Sequence, residues 1–213
     1  MCGRYSIGNE IQELASEYKL KVPDNFRASY NAAPGQDLPV LSNQSTRAFT
    51  LCQWGIVPFW AKESSKRLIN ARAETVGEKA TFKMSFQKRR CLVPADGYYE
   101  WMKGPEGKIP YRICRTDTPA FFLAGIWDTE EDGNTDFAII TTEASHSVAH
   151  IHERMPVILA DEAVSFWLSD TGDYEGLLDI LRPFPDDLLR AYPVSKAVNR
   201  VGNNEAALRE EVS

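Results

Sequence analysis

The chain has 213 residues, of which 43% are hydrophobic and 25% charged, and its formal net charge is −6 at pH 7. These values are typical of a globular protein with a sizeable core, and the acidic balance argues against a protein that coats nucleic acid indiscriminately. Neither an apolar stretch of bilayer length nor a secretory signal is visible, so we expect a cytoplasmic protein, nucleoid-associated if bacterial, with no membrane contact.

The predicted elements begin with a helix in NEIQELASEYKL, where apolar residues recur at helical spacing and Asn9 is the expected cap. Strands are predicted for DLPVLS, for AFTLCQWGIVPFW up to Pro58, and for PYRICR, AFFLAGIWD, TDFAIITTEA and PVILA. The stretch CLVPADGYYEWM indicates two strands joined by an Asp-Gly turn. DEAVSFWLSD, with Asp161 as a cap, and YEGLLDILRP are typical of short helices, and the last twenty or so residues are expected to be irregular.

This pattern indicates an α+β fold, with a mainly antiparallel, barrel-like curved sheet and peripheral helices. No linker or low-complexity tract divides the chain, so a single domain over residues 1–213 is predicted.

Cys2 follows the initiator methionine directly, in MCGRYS. Once Met1 is removed, this residue carries both an α-amine and a thiol, and such a 1,2-aminothiol reacts with aldehydes to give a thiazolidine. The thiol alone could also attack an acyl carbon. A small buried residue near a chain end is the open alternative. The other cysteines, Cys52, Cys91 and Cys114, form no C-x-x-C pair, so free thiols and no metal site are expected.

In LINARAET, alternation would put Asn70, Arg72 and Glu74 on one face of an extended segment, suited to a polar ligand. A solvated edge strand with an Arg72–Glu74 pair is the alternative.

In GYYEWM, alternation puts Tyr99 and Trp101 on one face and Tyr98, Glu100 and Met102 on the other. A carboxylate among aromatic rings is desolvated, which suits acid–base chemistry near neutral pH, and a tryptophan can stack on a base. The alternative is a surface glutamate beside core aromatics.

The three histidines, His146, His150 and His152, fall in HSVAHIHERMP, without a familiar metal-ligand spacing. One histidine acting as an acid–base or substrate contact is favoured, with Arg154 on the same side if the segment is extended. A polar loop is the alternative. The stretch WGIVPFW contains Trp54, Phe59 and Trp60, whose rings either belong to the core or form a platform on which unpaired bases stack.

Together these segments resemble the SRAP family (SOS response-associated peptidase), the abasic-site sensors. MCGRYS, NAAPG, WGIVPFW, INARAET, CLVPADGYYEW, IITT, IHERMPVIL and YPVSKAVNRVGNN follow the family order over nearly the whole chain. The sequence departs from many relatives by Phe59 before Trp60 and by Met155 after Arg154.

The resemblance implies a covalent crosslink between processed Cys2 and the ring-opened abasic deoxyribose of single-stranded DNA, which shields the lesion during the damage response. It implies that Asn70 holds the sugar or the amine, that Glu100 shuttles a proton, and that His152 assists the Schiff-base step or its reversal. Phosphate or groove contacts are implied for seven residues: Arg4, Pro34, Trp60, Arg72, Trp101, Thr141 and Arg154.

The resemblance implies no cofactor and no metal, and a monomer is expected. Self-directed removal of Met1, with Cys2 and Glu100, is also implied by the family name. Contact with the replication machinery is compatible with this function but has no sequence signal. Two alternatives stay open: a Cys N-terminal-nucleophile amidohydrolase or amidotransferase, and a DNA-binding module without chemistry.

Overall fold

The computed structural model describes residues 2–45, 47–58, 61, 67–130 and 133–212. The strands are β1 Tyr5–Ile7, β2 Ser29–Ala32, β3 Asp37–Ser42, β4 Thr50–Trp54, β5 Asn70–Arg72, β6 Arg90–Ala95, β7 Gly97–Gly104, β8 Gly107–Arg115, β9 Phe121–Thr129, β10 Thr135–Glu143, β11 Arg154–Pro156 and β12 Leu189–Pro193. The α-helices are α1 Ile11–Glu17, α2 Ala80–Lys88, α3 His146–Ala149, α4 Val164–Leu168 and α5 Tyr174–Asp179. Single 3₁₀ turns lie at Ala73–Thr75, Asp161–Ala163, Asp186–Leu188, Lys196–Asn199 and Ala206–Arg209.

One sheet closes on itself as a barrel. Its strands follow the order β10-β4-β3-β6-β9, and β9 pairs again with β10. Strands β5 and β11 extend β10 beyond this ring. All of these pairings are antiparallel except those of β10 with β4 and β5. The predicted α+β fold with a mainly antiparallel, barrel-like sheet is therefore confirmed.

A second sheet, with the order β12-β8-β7-β1-β2, packs against this barrel through a shared core. Tyr5 of β1 meets Trp54 of β4 edge to face, with ring centroids 5.2 Å apart. Trp54 in turn stacks on Phe137 of β10 at 6.1 Å. Because large buried rings dominate core energetics, this column fixes the N-terminal strand against the barrel.

The chain crosses between the two sheets at Asp96 and Gly97, where the sequence predicts a hairpin-type turn. Both predicted strands are confirmed, but they do not form a hairpin, because β6 pairs with β3 and β9, whereas β7 pairs with β1 and β8. The Asp96 carboxylate accepts hydrogen bonds from the Ser6 hydroxyl, from the Gly8 N–H at 2.7 Å and from Arg112 at 2.8 Å. The Asp-Gly pair therefore forms a buried junction between sheets.

Arg90 holds two helices against β6. Its side chain is fully buried, and its guanidinium donates to the carbonyls of Phe86, Gln87, Trp167 and Ser169 at 2.5–2.9 Å. These carbonyls lie at the C-terminal ends of α2 and α4, where helices leave acceptors without intrahelical donors. One arginine thus satisfies both helix ends.

Several predicted boundaries differ from the structure. Strand β4 ends at Trp54, short of the predicted Pro58, because Gly55 turns the backbone with φ +127°. In PVILA, the strand ends at Pro156, and Ile158 makes a single bridge to Leu123. Strand β12 was not predicted at all.

Both predicted helix caps are also wrong. Glu10 occupies the cap position of α1, and no side chain bonds to the helix there. Asp161 is the first residue of a 3₁₀ turn, and its carboxylate accepts from Arg115 at 2.9 Å. Among the helices in the described part of the chain, none is long and apolar enough to cross a membrane.

Candidate active site

Cys2 lies in the core beside β7. The chain ahead of β1 follows that strand, since the Tyr99 N–H donates to the Arg4 carbonyl at 2.9 Å. The Cys2 side chain has no solvent exposure, and its Sγ lies 4.0 Å from the same carbonyl. Burial raises the pKa of the Cys2 thiol far above its usual value, and the charge of Glu100 raises this pKa further. The thiol is therefore protonated at neutral pH.

Glu100 comes from β7, immediately after the junction between the sheets. Its side chain is only 5% exposed, and burial raises the pKa of its carboxyl, while the charge of His152 opposes that rise. Tyr98, two residues earlier on the same face, has a phenol whose pKa is raised by burial and then by Cys2 and Glu100. Glu100 thus influences the pKa of Cys2, and His152 influences that of Glu100, while the catalytic roles of the three residues stay predictions.

Tyr98 belongs to this neighbourhood, although sequence analysis placed it only on the face of Glu100. It is 1% exposed, and it pairs with Tyr5 across the β1–β7 ladder. Nothing in its spacing distinguishes it from a core aromatic residue, because its relation to Cys2 depends on how β1 pairs with β7.

His152 lies between α3 and β11, outside regular structure. The backbone N–H of Arg154 donates to its Nδ1 at 3.0 Å, so whenever the imidazole is neutral its proton is on Nε2. His150 instead packs its ring edge-on to Tyr111, with centroids 6.5 Å apart. In the described residues, no group of three or more His, Cys, Asp or Glu side chains is arranged to hold a metal ion.

Asn70 begins β5, which lies parallel to β10 with Asn70 opposite Ile139. Its Nδ2 donates to the Ile139 carbonyl at 3.4 Å. Its Oδ1 is buried and accepts no hydrogen bond from the described residues. A buried amide oxygen without a donor is costly, so this atom is suited to accept a hydrogen bond from a bound group.

The expected common face of Asn70, Arg72 and Glu74 is wrong for Glu74. Strand β5 ends at Arg72, and Glu74 lies in the following 3₁₀ turn, where side chains no longer alternate. Glu74 binds the guanidinium of Arg154 with two bonds, at 2.6 and 3.0 Å. The hydrogen bonds from Arg154 to the Glu74 carboxylate lower the pKa of Glu74. Arg154 also donates to the Thr141 carbonyl at 2.7 Å.

The predicted DNA-contacting residues occupy different environments. Arg72 and Pro34 are exposed, and Pro34 lies in the turn after β2 next to Gly35, whose φ is +84°. Thr141 is fully buried and donates to the Ala71 carbonyl at 3.4 Å. The predicted wedge residues Phe59 and Trp60 lie outside the described residues, as does Met1.

Arg4 and Trp101 form a stacked pair, with the guanidinium carbon 5.7 Å from the ring centroid. Nη1 of Arg4 also donates to Oδ1 of Asn31 at 2.7 Å and to the Val198 carbonyl at 2.8 Å. Nε1 of Trp101 donates to Oδ1 of Asn199 at 2.7 Å. Asn31 opens the NAAPG motif but was not predicted as a site residue, because the three carbonyls to which its Nδ2 donates are 167 or more positions away.

A model of the family described as "SOS response associated peptidase (SRAP)" matches residues 1–201. The chain is 37% identical to "Abasic site processing protein YoqW" of Bacillus subtilis (strain 168), over 99% of each chain. It is 31% identical to "Abasic site processing protein YedK" of Escherichia coli (strain K12), over 100% of each chain. A crystal structure of a protein from Bacteroides thetaiotaomicron superposes with a TM-score of 0.89 at 27% identity, covering 100% of both chains.

Proposed function

Because the chain belongs to the SOS response associated peptidase (SRAP) family, we propose that it processes abasic sites in DNA through a covalent bond to Cys2. Relatives named abasic site processing proteins support the substrate. The observation that carries the chemistry is the influence of Glu100 on the buried thiol of Cys2, together with the influence of His152 on Glu100.

The first step is opening of the sugar, since an abasic deoxyribose is mostly a closed hemiacetal. Opening moves a proton from the C1 hydroxyl to the ring oxygen and leaves an aldehyde, so it needs an acid and a base. Glu100 suits the acid, because burial raises the pKa of its carboxyl and so retains its proton at higher pH. After giving its proton to the ring oxygen, the Glu100 carboxylate can take the proton of the C1 hydroxyl, and His152, with its proton on Nε2, can donate a hydrogen bond to the sugar.

The second step forms the crosslink. The Cys2 amine adds to the aldehyde, and loss of one water gives an imine. The Cys2 thiol then adds to the imine carbon, its proton passes to the nitrogen, and a thiazolidine results. The buried Oδ1 of Asn70, which accepts no hydrogen bond among the described residues, supports a role in holding the amine or a sugar hydroxyl.

This chemistry requires that the Met1–Cys2 peptide bond be hydrolysed first, because the amine that forms the imine is otherwise part of an amide. We propose that the protein or another peptidase removes Met1 with one water. The DNA-binding surface stays a prediction. It comprises seven residues: Arg4, Pro34, Trp60, Arg72, Trp101, Thr141 and Arg154.

The test is incubation of the protein, with Met1 removal verified by mass spectrometry, with a single-stranded oligonucleotide that carries one abasic site. We expect a shifted band on a denaturing gel that Cys2→Ala abolishes and that Cys114→Ala retains. Cys114 is the matched control, since it is the most exposed of the four free cysteines. Absence of the band from processed wild-type protein contradicts the proposal.

Glu100→Gln tests the acid–base role separately. We expect a crosslinking rate lower by about 100-fold or more, the usual contribution of general acid–base catalysis, with little change in oligonucleotide affinity. An equal loss of rate and affinity would mean that Glu100 acts only in binding. Release of ammonia from glutamine by the same sample would favour the amidotransferase alternative.

A further inference from the structure

The segment 194–204, with the sequence VSKAVNRVGNN, lies directly beside the Arg4–Trp101 pair but has no part in the proposed chemistry. Its 3₁₀ turn, Lys196–Asn199, supplies the carbonyl of Val198 to Arg4 and the side chain of Asn199 to Trp101. Both contacts are short, at 2.8 and 2.7 Å. The segment therefore forms one wall of the surface that carries the stacked pair.

Asparagine side chains fix this segment to β2. Nδ2 of Asn31 donates to the carbonyls of Val198, Arg200 and Asn203 at 3.3, 3.1 and 2.9 Å. Oδ1 of Asn204 accepts from the Tyr30 N–H at 2.6 Å. An irregular segment held by this many bonds is preorganised, so a ligand that binds to it does not have to order it.

The charge of the segment differs from that of its surroundings. Lys196 and Arg200 are exposed, and neither forms an ion pair or side-chain hydrogen bond within the described ranges. The segment contains no Asp or Glu, although the whole chain carries a net charge of −6. By contrast, Arg154 is neutralised by Glu74. Unpaired cations in a segment that contacts an aromatic side chain are a combination suited to binding single-stranded nucleic acid.

We propose that the segment 194–204 is a second phosphate-binding element, in which Lys196 and Arg200 contact the backbone of single-stranded DNA that passes over Trp101. This inference rests on the proposed function, and it adds contacts beyond those of the abasic sugar. Because phosphates carry no sequence information, the element strengthens binding without selecting a sequence. The 3₁₀ turn Lys196–Asn199 thereby both holds Trp101, through Asn199, and binds the DNA backbone, through Lys196.

The experiment measures affinity for the abasic oligonucleotide at about 50 and about 200 mM salt, in a Cys2→Ala background so that binding is reversible. Each single-strand phosphate contact adds about 0.7 to the slope of log affinity against log salt. Replacing Lys196 and Arg200 together by alanine should lower the slope by about 1.4, so the affinity lost between the two salts shrinks by about 7-fold.

The matched control replaces Lys83 and Arg182, also exposed, by alanine, which removes the same charge elsewhere. A control slope equal to that of the background protein supports the proposal. An unchanged slope in the Lys196 and Arg200 variant, or an equal fall in the control, overturns it. The crosslinking gel with wild-type protein tests the proposed function separately. If the wild type gives the crosslinked band but the Lys196 and Arg200 variant keeps the background slope, only the phosphate-binding role of the segment 194–204 is overturned. Failure to bind the oligonucleotide overturns both.

Discussion

Replacement of Asn31 by aspartate should release the segment 194–204 while keeping Arg4 in place. Asn31 is 1% exposed, and its two side-chain atoms have separate tasks. Oδ1 accepts from Arg4, whereas Nδ2 donates to the carbonyls of Val198, Arg200 and Asn203. Aspartate retains the acceptor and turns the donor into a second oxygen, which faces three carbonyl oxygens.

The expected cost follows from these four bonds. Nδ2 carries two hydrogens shared among three carbonyls, so its loss removes about two neutral hydrogen bonds at about 1 kcal/mol each and leaves buried carbonyls without a donor, which costs about 1 kcal/mol more, about 3 kcal/mol in all. The bond from Arg4 becomes a charge-to-charge contact, and we take about 1 kcal/mol as the offset. Asn31→Asp should therefore lower the free energy of unfolding by about 2 kcal/mol. For a chain of this size, that is a fall in melting temperature of about 4–8 °C.

Urea denaturation measures the loss, and hydrogen exchange locates it. The amides of Arg200 and Asn203 donate to the carbonyls of Ala197 and Arg200 at 3.3 and 3.0 Å, and their exchange should accelerate. The Ala124 amide, which bonds to the Val157 carbonyl at 2.9 Å, should exchange as in the wild type.

Asn43→Asp serves as the control for Asn31→Asp. Asn43 also accepts through Oδ1, but within the described ranges its Nδ2 donates to a single carbonyl, that of Lys88 at 3.0 Å. This change should cost about 1 kcal/mol or less. An Asn31→Asp protein with the wild-type urea midpoint and unchanged exchange at Arg200 and Asn203 would refute the assignment of Asn31 as the anchor of the segment.

Two further predictions concern the framework. In Gly97→Ala, the new Cβ would lie 2.8 Å from the guanidinium of Arg112, which is buried and bound to Asp96, so we expect a loss of about 1–3 kcal/mol in urea denaturation; a wild-type midpoint would contradict it. Burial, and then Glu130, raise the pKa of Asp136 to about 7. Its protonated form therefore stabilises the fold at low pH, and this contribution is lost as the pH rises through about 7. As the pH rises from 5 to 8, the free energy of unfolding of Asp136→Asn should therefore increase relative to that of the wild type. An equal difference between the two proteins at both pH values would contradict this.

Strand content was largely predictable from the sequence, but strand partners were not. Periodicity identified β3, β6, β7, β9 and β10 because each carries a run of buried apolar residues. The same periodicity holds whether two successive strands pair or separate into different sheets. The junction at Asp96 depends on Arg112, 16 positions away, and on Ser6, 90 positions away.

Strand β12 was not predicted because it lacks an alternating pattern. Its residues are all half-buried or exposed, and Arg190 extends to an exposed ion pair with Glu211. An edge strand with one paired side and polar residues resembles a loop by composition. Its existence depends on β8, whose Arg115 is opposite Leu189.

The candidate site was predictable as a set of residues but not as a set of contacts. Spacing suggested that Arg72 pairs with Glu74, two positions apart on one strand. The structure instead pairs Glu74 with Arg154, 80 positions away, because the 3₁₀ turn after β5 moves Glu74 off the strand. Arg4 likewise contacts partners that its spacing does not indicate, since its guanidinium donates to Asn31 and to the Val198 carbonyl, 27 and 194 positions away.

The order of the two bond-forming steps in the proposed reaction follows from the burial of Cys2. A free α-amine ordinarily has a pKa of about 7.7–8.0, so a fraction of it is a nucleophile at neutral pH. The thiol beside it has its pKa raised by burial and by Glu100, so almost none of it is thiolate. The amine should therefore attack the aldehyde first, and the thiol should close the ring only after the imine has formed. In this sequence Glu100 supplies the proton for sugar opening, while the burial of Cys2 is what keeps its thiol protonated until the imine has formed.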